Sequence, residues 1–347
     1  MSISRPISVA MVAYGMSGKL FHAPLLAVLP GFRFHSVWRR GEEARQRFPS
    51  VRIADSFEDL IGDPETELVI INTPEPTHYE YARKALEAGK HVVVEKAFTV
   101  TSAQADELIA LADTRNLCLS VYHNRRWDGN ALTVRQIVDE GHLGRLVEYE
   151  ARYDRWRPVR ATTWKETPGD GVSILYNLGS HLIDQALDLF GMPERVFADI
   201  RMQRDGAETP DNFELLLFYP SLKVSLNASY LMREAAPRYR MLGTEGTYVK
   251  YGDDPQEAAL LAGAMPGGPG WGKEPASQAG ILHNGEGRRL FPSLSGNYVA
   301  YYEQVYRALR EGAAVPVSAR EGRNVIRIIE LAMQSAAEGR VVEVSER

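Results

Sequence analysis

Ile7-Ser8-Val9-Ala10-Met11-Val12-Ala13-Tyr14-Gly15-Met16-Ser17-Gly18 is the stretch that decides the fold. Ile7 to Ala13 is an apolar run of strand length. Gly15 and Gly18 follow at once, and an apolar segment through Leu25 and Leu26 then reads as helix. A buried strand that turns through glycines into a helix is the first step of a dinucleotide-binding fold. Here alanine stands at position 13, where the fingerprint has its first glycine. Gly15 lets the backbone approach a pyrophosphate, and the helix N-terminus offers it free N–H groups. Tyr14, Gly15, Ser17 and Gly18 are therefore candidate cofactor residues. Tight turns use glycine everywhere, so the motif needs its context.

The context is a repeated strand–helix alternation. Phe32 to Val37, Leu68 to Asn72, His91 to Val94 and Leu117 to Tyr122 read as buried strands. Ala44 to Phe48, His78 to Ala88 and Ser102 to Arg115 read as helices between them, with Ser102 as the expected N-cap. Alternation of this kind predicts a doubly wound parallel sheet over residues 1–122. Beyond His123 the pattern changes. Val147, Tyr149, Ala151 and Tyr153 alternate with Glu148, Glu150, Arg152 and Asp154, the period of a sheet with one solvated face. Phe213 to Tyr219, Lys223 to Leu231, Arg238 to Leu242 and Thr247 to Tyr251 extend it. Residues 263–287, rich in Gly and Pro, read as one long loop, and helices are expected over Ala131 to Glu140, Tyr298 to Arg310 and Arg323 to Ala337. Residues 123–347 are thus expected to form an α+β domain on a mainly antiparallel sheet.

Composition narrows the function classes. The 347 residues are 44% hydrophobic and 24% charged, with a formal net charge of -5. That length suits two domains, and that charge gives no basic field for nucleic acid or an anionic membrane. No signal-peptide layout opens the chain and no apolar run approaches the ~20 residues of a membrane span. A cytoplasmic location is expected. The one cysteine, Cys118, leaves no internal disulfide and no cysteine cluster for zinc. It lies in an apolar run that predicts a buried, inert thiol. No HExxH-like spacing is present, and no metal is expected.

Three further groups carry chemistry. After the second strand an NAD site usually has an acid; here Val37-Trp38-Arg39-Arg40-Gly41 has two arginines instead. Arg39 and Arg40 either grip a 2′-phosphate, which makes the cofactor NADP, or form a solvated basic turn with NAD as the alternative. Val92-Val93-Val94 brings Glu95 and Lys96 to the carboxyl end of a strand, the edge where open α/β sheets bind ligands. Lys96 either stabilises a substrate alkoxide or simply reaches to water. Asn177 and His181 are four apart, so on a helix they share a face, with Asp184 nearby. His181 suits proton exchange near neutral pH; a satisfied core histidine is the competing reading.

With these residues in view, the chain resembles the Gfo/Idh/MocA oxidoreductases over essentially its whole length. It is most similar to the branch of NADP-dependent scyllo-inositol dehydrogenases and their uncharacterised bacterial relatives. Tyr14 to Gly18 with Phe21-His22-Ala23-Pro24, Thr73-Pro74 with Thr77-His78, Ala88 to Lys96, Ser120 to Asp128, Leu178 to Asp184 and Gly296-Asn297-Tyr298 carry the resemblance. It implies a Rossmann domain followed by a domain with a large open sheet, through which the family commonly forms homodimers or homotetramers. It implies hydride transfer between a nicotinamide cofactor and a secondary alcohol or ketone of a cyclitol or sugar. Lys96 matches the family's active-site lysine and His181 its proton-exchanging histidine. Thr73, Pro74 and His78 match a loop lining the cofactor, beside Glu95 and Lys96. Arg126 and Trp164 match positions near cofactor and substrate.

Three positions depart from the family pattern. Ala13 replaces a glycine, Ala97 replaces the proline usual after Lys96, and Asn177 replaces an aspartate. Loss of the carboxylate beside His181 weakens support for a protonated imidazole, and loss of the proline relaxes the restraint on Lys96. Asn177 and Ala97 keep open the alternative of a non-catalytic or weakly active NAD(P)-binding sensor or partner protein; activity on another carbonyl or sugar derivative, and the transient use of NAD in glycoside cleavage by family relatives, are further readings.

Overall fold

The computed structural model describes residues 5–345. Residues 1–4 and 346–347, the ends of the two expected domain ranges, lie outside the described residues.

Those residues form two compact units, each with its own sheet. The first unit takes in the chain up to Trp127, Pro255–Trp271 and Asn297–Arg323. Its six strands are β1 Ile7–Ala13, β2 Phe32–Arg39, β3 Arg52–Ile53, β4 Leu68–Ile71, β5 His91–Val94 and β6 Leu119–Val121. All neighbours are parallel, in the order β3-β2-β1-β4-β5-β6. The reason is in the side chains. Val9, Met11, Leu68, Ile70, Val92 and Val94 are all 0% exposed, as strands covered on both faces require. Burying each such side chain is worth roughly 1.5–3 kcal/mol. Strand order reverses between β1 and β4, and ligands bind at the carboxyl ends of strands flanking such a reversal.

The second unit comprises Asp128–Asp254, Gly272–Gly296 and Asn324–Arg347. Its strands are β7 Leu146–Arg152, β8 Arg195–Arg201, β9 Asn212–Phe218, β10 Lys223–Ser229, β11 Tyr239–Gly243, β12 Gly246–Lys250, β13 Gly280–Asn284, β14 Gly287–Phe291 and β15 Val342–Glu343. They form one nine-stranded sheet, ordered β14-β13-β12-β11-β7-β10-β9-β8-β15 and antiparallel except for the β7–β10 pair. The expected fold class, a parallel Rossmann sheet plus a mainly antiparallel second sheet, is what the structure has.

Local expectations need corrections. The helix Ser102–Arg115 is capped by Thr101, not Ser102: Thr101 Oγ1 accepts from the Gln104 N–H at 3.2 Å and Gln104 Oε1 accepts from the Thr101 N–H at 3.3 Å. Thr101 has the extended backbone a cap needs, whereas Ser102 is already helical. The supposed loop 263–287 contains β13, because composition hid the Ile281–Leu282 pairing with β12. Strand β8 was not anticipated. The final helix is longer than expected, Ala319–Glu338. Among the described residues no helix is long and apolar enough to cross a membrane. Thr101→Ala is expected to cost ~1 kcal/mol of stability by urea unfolding, and Thr101→Ser, which keeps the capping hydroxyl, should recover most of it.

Candidate active site

In the first unit the fingerprint turn is built by close packing. A Cβ on Gly18 would come within 2.7 Å of the Ala13 carbonyl oxygen and 2.9 Å of Met11 Sδ, so only glycine lets the turn close. A Cβ on Gly15 would meet nothing within 4 Å; that backbone is open. Tyr14 is buried, its N–H donates to the Arg39 carbonyl at 2.9 Å, and burial pushes its hydroxyl pKa up. Ser17 precedes a π-helical turn, Gly18–His22, and makes no side-chain cap. Ala13 pairs in register with Arg39 at the ends of β1 and β2.

Sequence reasoning missed the residue that fixes this turn. Asn72, just after β4, donates through Nδ2 to the Ala13 carbonyl at 2.6 Å and accepts the Ala13 N–H on Oδ1 at 3.0 Å. The two strands flanking the reversal of strand order are thereby latched at their carboxyl ends. The only signal was a polar residue closing an apolar run.

Arg39 and Arg40 are both exposed at the end of β2, and Glu42 and Glu43 open the helix that Arg40 precedes. The Arg39 guanidinium lies 4.5 Å from the Trp38 ring and donates to Tyr81 Oη at 3.3 Å. Arg40 has φ 60° and precedes the helix Gly41–Arg47. An open glycine backbone, a helix start and two solvent-facing guanidiniums suit a dinucleotide that carries phosphates.

Beyond β4, Thr73 and Pro74 are half-buried and lead into a tight turn. Thr77 donates its hydroxyl toward Thr73 Oγ1 and the Pro74 carbonyl, both at 2.7 Å. His78 is fully buried, with its ring nitrogens 2.8 Å from the Thr73 carbonyl oxygen and 2.9 Å from that of Ala97. It ties the loop after β4 to the segment after β5. The Lys96–Ala97 peptide is cis, and Ala97 is fully buried. Lys96 itself is half-buried. Both Glu95 oxygens are engaged, Oε1 with His22 Nε2 at 2.9 Å and Oε2 with the Lys96 N–H at 3.1 Å. Arg126 donates to Glu321 Oε1 at 2.7 Å. Burial would raise the Glu321 carboxyl pKa, but the Arg126 charge and Ser318 hydrogen bonds hold it low. Cys118 is half-buried, and burial pushes its thiol up to about 11, so little thiolate forms at neutral pH.

In the second unit, Asn177 lies in a π-helical turn, Leu175–Gly179, that runs into the helix Ser180–Phe190. His181 sits in the first turn of that helix, buried, its ring 6.3 Å from that of Tyr153. Tyr153 lies between the Arg155 and Arg238 guanidiniums, at 4.4 and 4.1 Å. Asn177 Nδ2 is 3.5 Å from Tyr230 Oη. Trp164 is exposed, with the Lys165 ammonium 5.6 Å from its ring.

Arg204, another residue the sequence did not single out, is the anchor of this region. Its guanidinium binds Asp211 at 2.8 Å, Glu166 at 3.0 Å and the Arg157 carbonyl at 3.2 Å. It also lies 4.7 Å from the Tyr230 ring. A buried guanidinium with a partner at each of its three nitrogens fixes the segment around Arg157 and Glu166, whose conformation no periodicity could predict. Among the described residues no group of three or more His, Cys, Asp or Glu side chains could hold a metal ion.

Family models agree with this architecture. Residues 7–123 match the oxidoreductase-family NAD-binding Rossmann fold, and residues 135–344 match the family's C-terminal alpha/beta domain. The chain belongs to the Gfo/Idh/MocA oxidoreductase family. It is 42% identical to the scyllo-inositol 2-dehydrogenase (NADP(+)) IolW of Bacillus subtilis, over 97% of this chain and 95% of that one. It is 40% identical to the uncharacterised oxidoreductase YdgJ of Escherichia coli, over 96% and 97% of the two chains. Among solved structures, yvaA of Bacillus subtilis superposes with a TM-score of 0.95 at 40% identity, covering 99% of this chain and all of that one. A Bacteroides fragilis oxidoreductase structure gives 0.90 at 48% identity, covering 98% and 100%. This Gfo/Idh/MocA member is an NAD(P)-dependent oxidoreductase of dehydrogenase type.

Asn72→Ala is expected to leave both Ala13 main-chain groups without their partner, a cost on the order of 1–3 kcal/mol if they stay buried. NADPH affinity, read by fluorescence titration, should fall about tenfold. Unchanged affinity would mean the latch is not needed to shape the turn.

Proposed function

We propose that this protein is an NADP-dependent dehydrogenase of a cyclitol or sugar secondary alcohol. Residues 1–122 hold the cofactor and residues 123–347 recognise the substrate. The observation that carries the reading is Lys96, set at the carboxyl end of β5 in the cofactor-binding unit, its main chain tied to Glu95. The NADP(+)-dependent scyllo-inositol relative supports the choice of substrate class.

In this reading Tyr14, Gly15, Ser17, Gly18, Thr73, Pro74 and His78 line the cofactor, and Arg39 and Arg40 receive its 2′-phosphate. When bound, NADP supplies the hydride acceptor. Lys96 binds the reacting hydroxyl and stabilises the alkoxide as the carbon–hydrogen bond breaks. His181 takes the hydroxyl proton, and Asn177 orients the imidazole without adding charge. Arg126 and Trp164 serve substrate binding. The second sheet is the surface through which homodimers or homotetramers form.

The test is turnover of scyllo-inositol, myo-inositol and aldoses with NADP and with NAD, followed by absorbance of the reduced nicotinamide. Activity lost in both Lys96→Ala and His181→Ala supports the reading; NADPH binding with no turnover of any polyol points to a sensor instead. Arg40→Ala should weaken NADP at least about tenfold, or ~1.4 kcal/mol, and leave NAD nearly unchanged. Equal loss for both would sink the NADP assignment. Asn177→Asp should raise activity at neutral pH, because a carboxylate stabilises the imidazolium; a fall would mean that asparagine suits a different substrate.

A further inference from the structure

His22 is a buried histidine to which the proposed reaction gives no role. Its ring is 0% exposed. Nδ1 lies 2.6 Å from Tyr302 Oη, and Nε2 lies 2.9 Å from Glu95 Oε1. The other Glu95 oxygen accepts the Lys96 N–H at 3.1 Å. Tyr302, His22, Glu95 and the Lys96 main chain therefore form one continuous hydrogen-bonded line within the first unit. Its parts come from the π-helical turn Gly18–His22, the end of β5 and the helix Val299–Glu311.

We propose that His22 is a positioning residue for Lys96: backed by Tyr302, it holds the Glu95 carboxylate ionised and oriented, and Glu95 fixes the Lys96 main chain and faces its ammonium with negative charge. The proposal rests on the reading of Lys96 as the active-site lysine.

The chemistry of the line is consistent with this role. A carboxylate only accepts, so His22 Nε2 carries a hydrogen, and the Tyr302 hydroxyl can donate to Nδ1. The ring has little room to turn, with Tyr122 4.4 Å away centroid to centroid and Tyr302 6.2 Å away. Burial would push the Glu95 carboxyl pKa up; the His22 hydrogen bond and the positive charge of Lys96 outweigh it and keep it below the usual carboxylate value. Tyr122, Tyr301 and Tyr302, which surround the pair, are pushed up by burial and stay neutral near physiological pH. The titratable groups facing Glu95 are His22, His78 and Lys96, with Arg125 and Arg126 next to the tyrosines.

The pH dependence separates positioning from plain packing. Glu95 has a folded pKa below its ordinary value of 4.5, so its ionised form stabilises the fold above about that pH. That stabilisation fades as the pH falls through the lowered folded value. In His22→Phe the carboxyl keeps its burial and loses its donor, so its pKa rises. The gap in Tm between wild type and His22→Phe should be widest near pH 7 and close toward pH 4. In a Glu95→Gln background the same gap should not depend on pH. His22→Gln, which places an N–H near the position of Nε2, should restore part of the wild-type profile.

The link to Lys96 is read by brief labelling with acetic anhydride at pH 8 and mass spectrometry, with Lys223 and Lys273 as internal references. Lys96 should label at least about threefold faster in Glu95→Gln, because loss of the negative charge favours the neutral amine. Labelling should also shift in His22→Phe, where the carboxylate stays ionised at pH 8 but loses the donor that orients it toward Lys96, and less in His22→Gln. A Tm gap constant across pH, or Lys96 labelling unchanged in Glu95→Gln and the His22 variants, overturns the proposal. If His22→Phe does not fold, Glu95→Gln and His22→Gln decide it. Neither readout needs turnover, so a Lys96→Ala variant that still oxidised substrate would remove the catalytic reading without altering them.

Discussion

The cofactor half depends on one constraint: the ends of β1 and β4 must be held together where the strand order reverses. Parallel strands pair evenly along their length, yet beyond their carboxyl ends nothing in the sheet fixes the turns. Asn72 does so with two hydrogen bonds to Ala13. Because Ala13 is held, Gly18 can pack against its carbonyl oxygen, while the backbone at Gly15 stays open, with nothing within 4 Å of where a Cβ would sit. The alanine at position 13, a departure from the fingerprint, is accommodated in the same place: it pairs with Arg39 in register. A main-chain latch tolerates a methyl there, since both bonds are made by the Ala13 backbone.

The next strands follow the same principle, with buried histidines as cross-ties. His78 joins the turn after β4 to Ala97, and His22 joins the first helical segment to Glu95 after β5. Loops carry function because they are free to vary, but a reactive group needs a fixed position. Here the fixing groups are imidazoles with both nitrogens in use. In the second unit Arg204 does the comparable work by spanning Asp211, Glu166 and the Arg157 carbonyl. Polar networks of this sort hold a segment in one conformation only when every member is satisfied.

Much of the fold was legible because the informative signals are local. The apolar runs at β1, β4 and β5 and the glycines after β1 lie within a few residues of one another, and periodicity reads such spans well. The helix Ser102–Arg115 was found with its bounds, while its cap was displaced by one residue, because Thr101 and Ser102 are chemically similar and only backbone geometry distinguishes them. The strand Gly280–Asn284 was hidden inside Gly- and Pro-rich sequence, since its partner β12 lies some thirty residues earlier. The candidate site residues were legible as residue types at strand and helix ends: Lys96 after β5, Arg39 and Arg40 at the end of β2, His181 opening a helix. What holds them was not. His22 and Glu95 are 73 positions apart, and Asn72 and Ala13 are 59 apart, so no spacing rule connects them. The turn containing Asn177 is π-helical, a local geometry that the simple four-residue spacing to His181 does not announce.

The proposed reaction moves hydride from a ring carbon of a polyol to NADP with Lys96 at the reacting hydroxyl. Its most direct test is isotope transfer: incubate the protein with NADP and carbon-deuterated scyllo-inositol, then analyse the nicotinamide by mass spectrometry. One deuterium is expected on the reduced cofactor with the wild-type protein and none with Lys96→Ala. Reduced cofactor without deuterium, or equal labelling in the Lys96→Ala variant, would contradict it.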